Sequence, residues 1–546
     1  MRALVPLLLL LGCPTSPVPE PPPADDDDSA GPDEPPPSPT GSLVELFDPA
    51  PEPTPTPPPC PAGPLPTTAF ADVTACAGID APHSVPDPDW FPFGAAWADF
   101  DGDGALDLFV TDSGGPDHWF ASDGQGRFVE QPLVPAGEPF SPTSGVAAGD
   151  LDGDGDIDLA VEGLGALTVV RNDDGALVPQ EPAIWHGARG SSVALADYDG
   201  DGALDAYATR YSCPKCEGGG PGADDALYQG GWVDTTAQLP GAIDGFGFVA
   251  RWLDIDADGD QDLYVVNDRG TYDEEAEYTN RNVLFRNDGP GCGGWCWSEV
   301  GRDLGVDLRL NGMGIAVGDV DADGTVDLVV SDSQVPSLLL QSQFGFVESA
   351  AARGLTTLRE GWGLALFDAD NDGDLDLFLP SGSMGEGGGQ PDVLWRNDGE
   401  VFVDVSEGSG LDHGGNTIGA AVADYDGDGW LDLLVGGADE GHRLLRNLGG
   451  QHPATADNHW IAFELEGGEG LPSPPVGAHV VVVDTSGRTQ RRDLAAGSGL
   501  GVTHSPRLHV GLGSATVVQA TITWPDGRQL VLPEPAHDRL HVLTPL

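Results

Sequence analysis

The chain has 546 residues, enough for more than one domain with a sizeable core, and carries 89 Asp plus Glu against 23 Lys plus Arg, a formal charge of −66. That balance excludes a basic face for nucleic-acid phosphates and sets the chain against an anionic membrane surface. With Lys215 as its one lysine, the chain lacks the usual residue of a Walker phosphate loop, a Schiff base or pyridoxal chemistry.

Arg2 and the apolar run from Ala3 to Leu11 are too short for a membrane helix and suit a secretory signal. Leu10-Leu11-Gly12-Cys13 resembles the lipobox of bacterial lipoproteins, which implies residues 1–13 as signal and a lipid anchor on Cys13; an ordinary signal peptide is the alternative. Either way the protein is expected outside the cytoplasm, on an envelope membrane and surface-exposed, or secreted. Residues 14–66 are rich in Pro, Asp, Glu, Ser and Thr, including Asp25 to Asp28, and are expected to form a disordered, extended tether.

From residue 67 to 455 one pattern recurs, Asp-x-Asp-x-Asp-Gly-x-x-Asp. Its acidic positions are Asp99, Asp101, Asp103 and Asp107; Asp150, Asp152, Asp154 and Asp158; Asp197, Asp199, Asp201 and Asp205; Asp254, Asp256, Asp258 and Asp262. The series continues with Asp319, Asp321, Asp323 and Asp327; Asp368, Asp370, Asp372 and Asp376; and Asp424, Asp426, Asp428 and Asp432. The seven copies start 47 residues apart at the closest (Asp150 to Asp197) and 65 at the widest (Asp254 to Asp319). Each follows an apolar, Gly-containing run such as Phe93 to Ala98 and precedes a strand-like run such as Leu106 to Val110. Turns such as Arg286-Asn287-Asp288-Gly289 and Arg396-Asn397-Asp398-Gly399 then lead to a fourth run like Val401 to Val405. Four strands per repeat is one blade, so the expected fold is all-β, a seven-bladed β-propeller. The seventh repeat stops at Gly449 without a fourth strand, while Phe70 to Thr74 lies before the first and matches Phe402 to Ser406. This N-terminal strand is expected to complete the last blade and remove an exposed edge. The segments from about Phe70 to Gly450 resemble the FG-GAP and VCBS repeats, also seen in integrin α-subunits.

Alternating carboxylates turned toward one centre suit calcium, a hard cation that takes six to eight oxygens. The Asp residues at positions one, three, five and nine are the candidate ligands, with the backbone carbonyl of position seven, where Ala105, Thr325 and Trp430 alternate with Asp. Solvent-exposed acidic turns are the bland alternative, and magnesium is disfavoured by its smaller shell. The calcium is expected to be structural.

Besides Cys13 there are six cysteines. Cys213 with Cys216 and Cys292 with Cys296 read as local disulfides, or together as a four-thiolate zinc site, with Cys60 and Cys76 as a third pair. From residue 456 to 546 a different β-pattern begins, with runs at Trp460 to Leu465, Ala478 to Val483, Leu508 to Val510 and Val518 to Trp524, expected as a small β-sandwich-like domain. Asn458-His459-Trp460, Gly497-Ser498-Gly499, Leu508 to Gly513 and Trp524-Pro525-Asp526-Gly527 resemble the ASPIC/UnbV domain, which follows such propellers in relatives of cartilage acidic protein. Arg488, Arg491, Arg492, Arg507 and Arg528 make this part less acidic, to dock it on the propeller or to receive an anion.

No nucleophile elbow, zincin helix or dinucleotide fingerprint appears, so no catalytic residue is assigned. The leading expectation is an extracellular interaction or adhesion module with an unidentified protein or glycan partner. The alternative is an enzyme or lectin acting on glycans through the channel or a face, with Trp90, Trp119, Trp185 or Trp362 as stacking platforms.

Overall fold

Small residues at the start of each repeat let its first strand be buried on both faces, as in Ala95–Ala98 and Thr143–Gly149. A Cβ on Gly94 would lie 2.2 Å from the Ser144 carbonyl of the next repeat, and one on Gly363 2.8 Å from that of Ile418. Only glycine permits such close first strands.

The computed structural model describes residues 69–80, 93–112, 114–133, 142–211, 225–241, 247–268, 281–292, 294–382, 389–437, 441–449 and 455–545, all within one compact unit. The signal, the tether, Trp90, Cys60, Cys213 and Cys216 lie outside these residues.

The fold is all-β, built from several four-stranded antiparallel sheets. Repeat one uses Ala95–Ala98, Asp107–Val110, His118–Ser122 and Phe128–Gln131, each strand beside the next. Repeats four, five and six follow the same order from Gly247–Leu253, Ile315–Gly318 and Ala365–Phe367. Every aspartate loop joins a first strand to a second.

Repeats two and three depart from separate four-stranded units. The second and third strands of repeat two run on as Asp158–Asp173, which shifts register around Gly165 (φ +92°) and pairs with the long first strand of repeat three, Ile184–Ala196. The two repeats share one seven-stranded sheet. The apolar alternation of that run is broken by two glycines and no proline, so the chain stays extended. A second correction concerns Asn287-Asp288-Gly289. The strand Val283–Gly291 passes through it with an irregularity between Asn287 and Pro290, and the chain reverses at Cys292 (φ +49°). Cys292 and Cys296 form a disulfide across this tip, with Cα atoms 5.6 Å apart, which settles that pair as local. Cys76 is also disulfide-bonded.

The sheet of repeat seven takes its fourth strand from the chain start. Phe70–Asp72 pairs with Gly441–Asn447 in the register Phe70↔Asn447 and Asp72↔Leu445. The apolar cores lie between successive sheets: Phe109 and Val161 join repeats one and two, Leu263 and Tyr207 three and four, Tyr264 and Leu328 four and five, Val329 and Leu377 five and six, and Phe378 and Leu433 six and seven. Trp97 and Tyr425, stacked at 6.3 Å, join seven to one.

The C-terminal residues form two further sheets around their own core of Phe463, Val480, Val510 and Trp524. One is three-stranded, centred on His459–Leu465; the other is four-stranded and contains His479–Asp484 and Val517–Thr523. Between them a loop leaves this core and runs among the first strands of the repeats. Val502–Thr503 adds in parallel to Ala95–Ala98 of repeat one. The Gly501 carbonyl accepts from Val146 N–H (3.1 Å), the Ala496 carbonyl from Leu195 N–H (2.9 Å), and the Gly497 carbonyl from Arg251 Nη1 (3.3 Å). A Cβ on Gly499 would stand 3.8 Å from Ile315 O and 3.4 Å from Leu364 O, and Ser505 N–H donates to Val422 O at 2.9 Å. One loop thus lies against the first strand, or the residue just before it, in all seven repeats.

Candidate metal centres

Each aspartate loop is shaped by its own carboxylates before any ion is considered. In repeat one, Asp99 at position one accepts the N–H groups of Asp103 (3.1 Å) and Gly104 (2.8 Å), curling the loop around its side chain. Gly104 adopts φ +89°, a conformation an L side chain resists. Asp103 at position five accepts the Ala105 N–H at 2.8 Å. Asp107 at position nine starts the second strand and holds the loop to the sheet: Oδ2 accepts Phe100 N–H (2.9 Å) and Oδ1 accepts Ser122 N–H (2.7 Å) from the third strand. The same position-nine bonds recur at Asp262 with Ile255 and Asn287, at Asp327 with Val320 and Gln341, and at Asp376 with Ala369 and Asn397.

Positions one, three and nine converge. Ligand oxygens of Asp99, Asp101 and Asp107 lie within 4.8 Å of one another, as do those of Asp150, Asp152 and Asp158, of Asp197, Asp199 and Asp205, and of Asp254, Asp256 and Asp262. The position-five aspartates Asp103, Asp154, Asp201 and Asp258 stand outside these triads and brace the position-seven N–H. Buried carboxylate oxygens of Asp321, Asp370 and Asp424 have no hydrogen-bond donor. A hard cation is what such all-oxygen sites fit, and calcium suits their number of carboxylates.

Burial, reinforced by neighbouring aspartates, pushes the position-nine carboxyls far up: Asp107 to about 7, Asp205 and Asp262 to about 8, and Asp327 to about 7. Asp368 is pushed to about 8 for the same reasons. In calcium-free protein these folded-state carboxyls keep protons that the unfolded chain releases near its ordinary value, so stability present at low pH is lost as pH rises through about 8. The calcium-free melting temperature is therefore expected to fall between pH 5 and pH 8, and the gain on adding calcium to grow. Melts with chelator and with calcium across that range check this, and a calcium-free melt that rises with pH contradicts it.

A second set of residues around the loops was hidden in the turn motif. Asn172, Asn287, Asn397 and Asn447 are buried, and each side-chain amide bridges two loops. Asn397 Nδ2 donates to Leu375 O in its own repeat (3.2 Å) and to Val320 O in the repeat before (3.0 Å); Asn447 does the same with Leu431 and Ala369. Asn172 reaches Phe100 O and Asn287 reaches Tyr198 O, both at 2.8 Å, and Gln341 reaches Ile255 O at 2.7 Å. The recurrence of Arg-Asn at 171, 286, 396 and 446 was the available signal. Asn397→Ala leaves two buried carbonyls short of a donor and is expected to cost about 1–3 kcal/mol in urea melts with calcium present, while the exposed Asp398→Ala costs far less.

The arginines of the same motif supply charge. Arg446, nearly buried, binds Asp426 (2.6 Å) and Asp428 (2.7 Å), and Arg171 binds Asp152 (2.9 Å) and Asp158 (2.8 Å). Repeats one and three carry Ala121 and Gln229 at this place, so no arginine of this motif offsets their repulsion.

The C-terminal domain covers the end of the repeats that carries the loops. Arg507 donates to Gly104 O (2.6 Å), Ser473 O accepts Asp150 N–H (2.7 Å), Gly477 abuts Gln261, and His509 Nε2 meets Gly429 O (3.1 Å). Arg488 binds Asp374 and the Asp372 carbonyl, and Arg491 and Arg492 face Asp254, Asp319 and Asp368. Docking is thus what Arg488 and Arg507 do, whereas Arg528 pairs with Asp526 in its own domain. Of the expected stacking platforms, Trp119 and Trp362 are buried in the core, which removes them; Trp185 is 75% exposed.

The FG-GAP-like repeat family matches residues 83–161, 254–330, 319–379 and 384–435, and the ASPIC and UnbV family matches residues 468–545. The chain is 26% identical to mouse (Mus musculus) cartilage acidic protein 1 over 275 residues, covering 48% of this chain and 41% of that protein. It is 25% identical to human (Homo sapiens) cartilage acidic protein 1 over 490 residues, 81% of this chain and 70% of that one. Among solved structures, BBS1N in complex with ARL6DN superposes with a TM-score of 0.42 at 10% identity, covering 70% of this chain and 97% of that one. The chain therefore carries FG-GAP-like repeats followed by an ASPIC and UnbV domain, with a distant relation to cartilage acidic protein 1.

Proposed function

We propose that this chain of FG-GAP-like repeats capped by an ASPIC and UnbV domain is a calcium-stabilised seven-bladed propeller that serves outside the cell as an interaction or adhesion module, anchored by a lipid on Cys13. The observation that carries the ring is the loop from Ala496 to Ser505, which bonds or abuts the first strand of every repeat, from Ala95 to Val422. Seven strands meeting one loop supports a ring closed around it, and the Phe70–Asp72 pairing supports closure of its last blade.

The same loop bears on mechanism. A catalytic site in the channel needs an entrance, and at the loop-bearing end the C-terminal domain lies across it. That favours binding on the opposite end or the flank over channel chemistry. The exposed Trp185 supports a glycan as one partner class, since an indole face stacks on sugar rings. A glycan array read beside product release from a polysaccharide panel tests this: binding without turnover fits the module, and turnover overturns it in favour of an enzyme.

A further inference from the structure

We propose that His459, His537 and Asp538 form a second kind of metal centre in the C-terminal domain, one for a borderline divalent transition metal such as zinc. His459 Nδ1 and His537 Nδ1 both lie 2.8 Å from the same oxygen, Asp538 Oδ2. The two imidazoles stand 4.2 Å apart between centroids, and the three ligand atoms fall within 4.8 Å of one another. Two nitrogens and a carboxylate are the wrong donors for calcium and the right ones for zinc. Zinc-to-ligand distances of about 2.0–2.2 Å in a tetrahedron set ligands about 3.3 Å apart, so admitting an ion requires the trio to open by about half an ångström.

The carboxylate is held in place for this. Asp538 Oδ1 accepts the Trp460 N–H at 3.2 Å, and the Asp538 N–H donates to Trp460 O at 2.6 Å, which leaves Oδ2 toward the two imidazoles. Such outer hydrogen bonds orient ligands at zinc sites. The side chains of His459, His537 and Asp538 are 34%, 31% and 43% exposed, so water can complete the shell and the ion has a path in. Next in the chain, Asn458 donates to Asp370 O in loop six (2.8 Å), and Trp460 lies against Gly429 of loop seven. The centre therefore sits where the domain grips two of the aspartate loops.

The test uses the full chain with calcium saturating, so that the oxygen-only loops are occupied. Equilibrium dialysis against zinc should show one zinc per chain, and cobalt(II) in its place should give the visible absorption of a low-coordinate ion, lost on adding zinc. His537→Ala and Asp538→Asn should each weaken uptake about tenfold or more, since loss of an outer-shell partner alone costs about 10–100-fold. His537 lies on a surface loop, so the calcium-loaded melting temperature of its variant should match the parent and exclude misfolding as the cause. No zinc uptake by the parent, or uptake that both variants retain undiminished, overturns the proposal.

Discussion

Chelation of calcium is expected to lower the melting temperature of the protein by about 10 °C or more, with calcium restoring it and magnesium doing so poorly. A site held at ten times its dissociation constant contributes about 1.4 kcal/mol, so seven give about 10 kcal/mol. Unfolding entropy of about 2.1 cal/mol/K per residue gives about 1 kcal/mol/K for a body of this size, hence the shift. The physical cause is local. Asp376 and Asp432 are buried and Asp424 half-buried, all with acidic neighbours, and desolvation raises each of them well above the ordinary carboxylate range. Without a cation these groups are accommodated only while they hold protons; once ionised they repel one another and loosen the first-to-second strand hairpins. Because Asn172, Asn287, Asn397 and Asn447 link loops two, four, six and seven to the loop before, loosening at one of these sites is passed to its neighbour. An unchanged melt after chelation would contradict this account of the loops.

Removing residues 68–74 is expected to destabilise the repeats as a whole. Phe70 is buried against Phe367, with ring centroids 6.4 Å apart, and its N–H donates to Ser409 O at 2.8 Å. Val73 N–H donates to Leu444 O at 2.9 Å and Leu448 N–H to Ala69 O at 2.7 Å, so the segment is stitched in along its length. Its loss bares the edge of Gly441–Asn447, an open template for another chain. Phe70→Ala alone should cost about 3–5 kcal/mol by the cavity it leaves. Thermal melts and size-exclusion profiles in calcium check both; the deletion should melt lower and self-associate, and a deletion that melts with the parent would contradict the closure.

The aspartate loops and the N-terminal strand were legible in the sequence because both are local patterns repeated in register: the spacing from Asp99 to Asp107 recurs, and Phe70 to Thr74 copies Phe402 to Ser406. The fusion of repeats two and three was not. It depends on whether the extended run after Asp158 turns back at its glycines or pairs onward with Ile184–Ala196, which is a tertiary choice. The role of Asn397 was partly visible. Its recurrence in the turn motif could be seen, but its second partner, Val320 O, belongs to another repeat and no local rule points there. The placement of Gly501 beside Ala95 and Val146 was beyond reach for the same reason, since hundreds of residues separate them. Position five adds a contact that the alternating pattern does not show: Asp103 and its counterparts accept the position-seven N–H through one carboxylate oxygen.

The most direct test of the central claim is the number of calcium ions held by the folded chain. Anomalous diffraction from crystals grown in calcium, together with equilibrium dialysis in solution, should find seven ions per chain, each between the aspartates at positions one, three and nine of one loop. Ions absent from the loops, or bound only to acidic residues elsewhere, would contradict it.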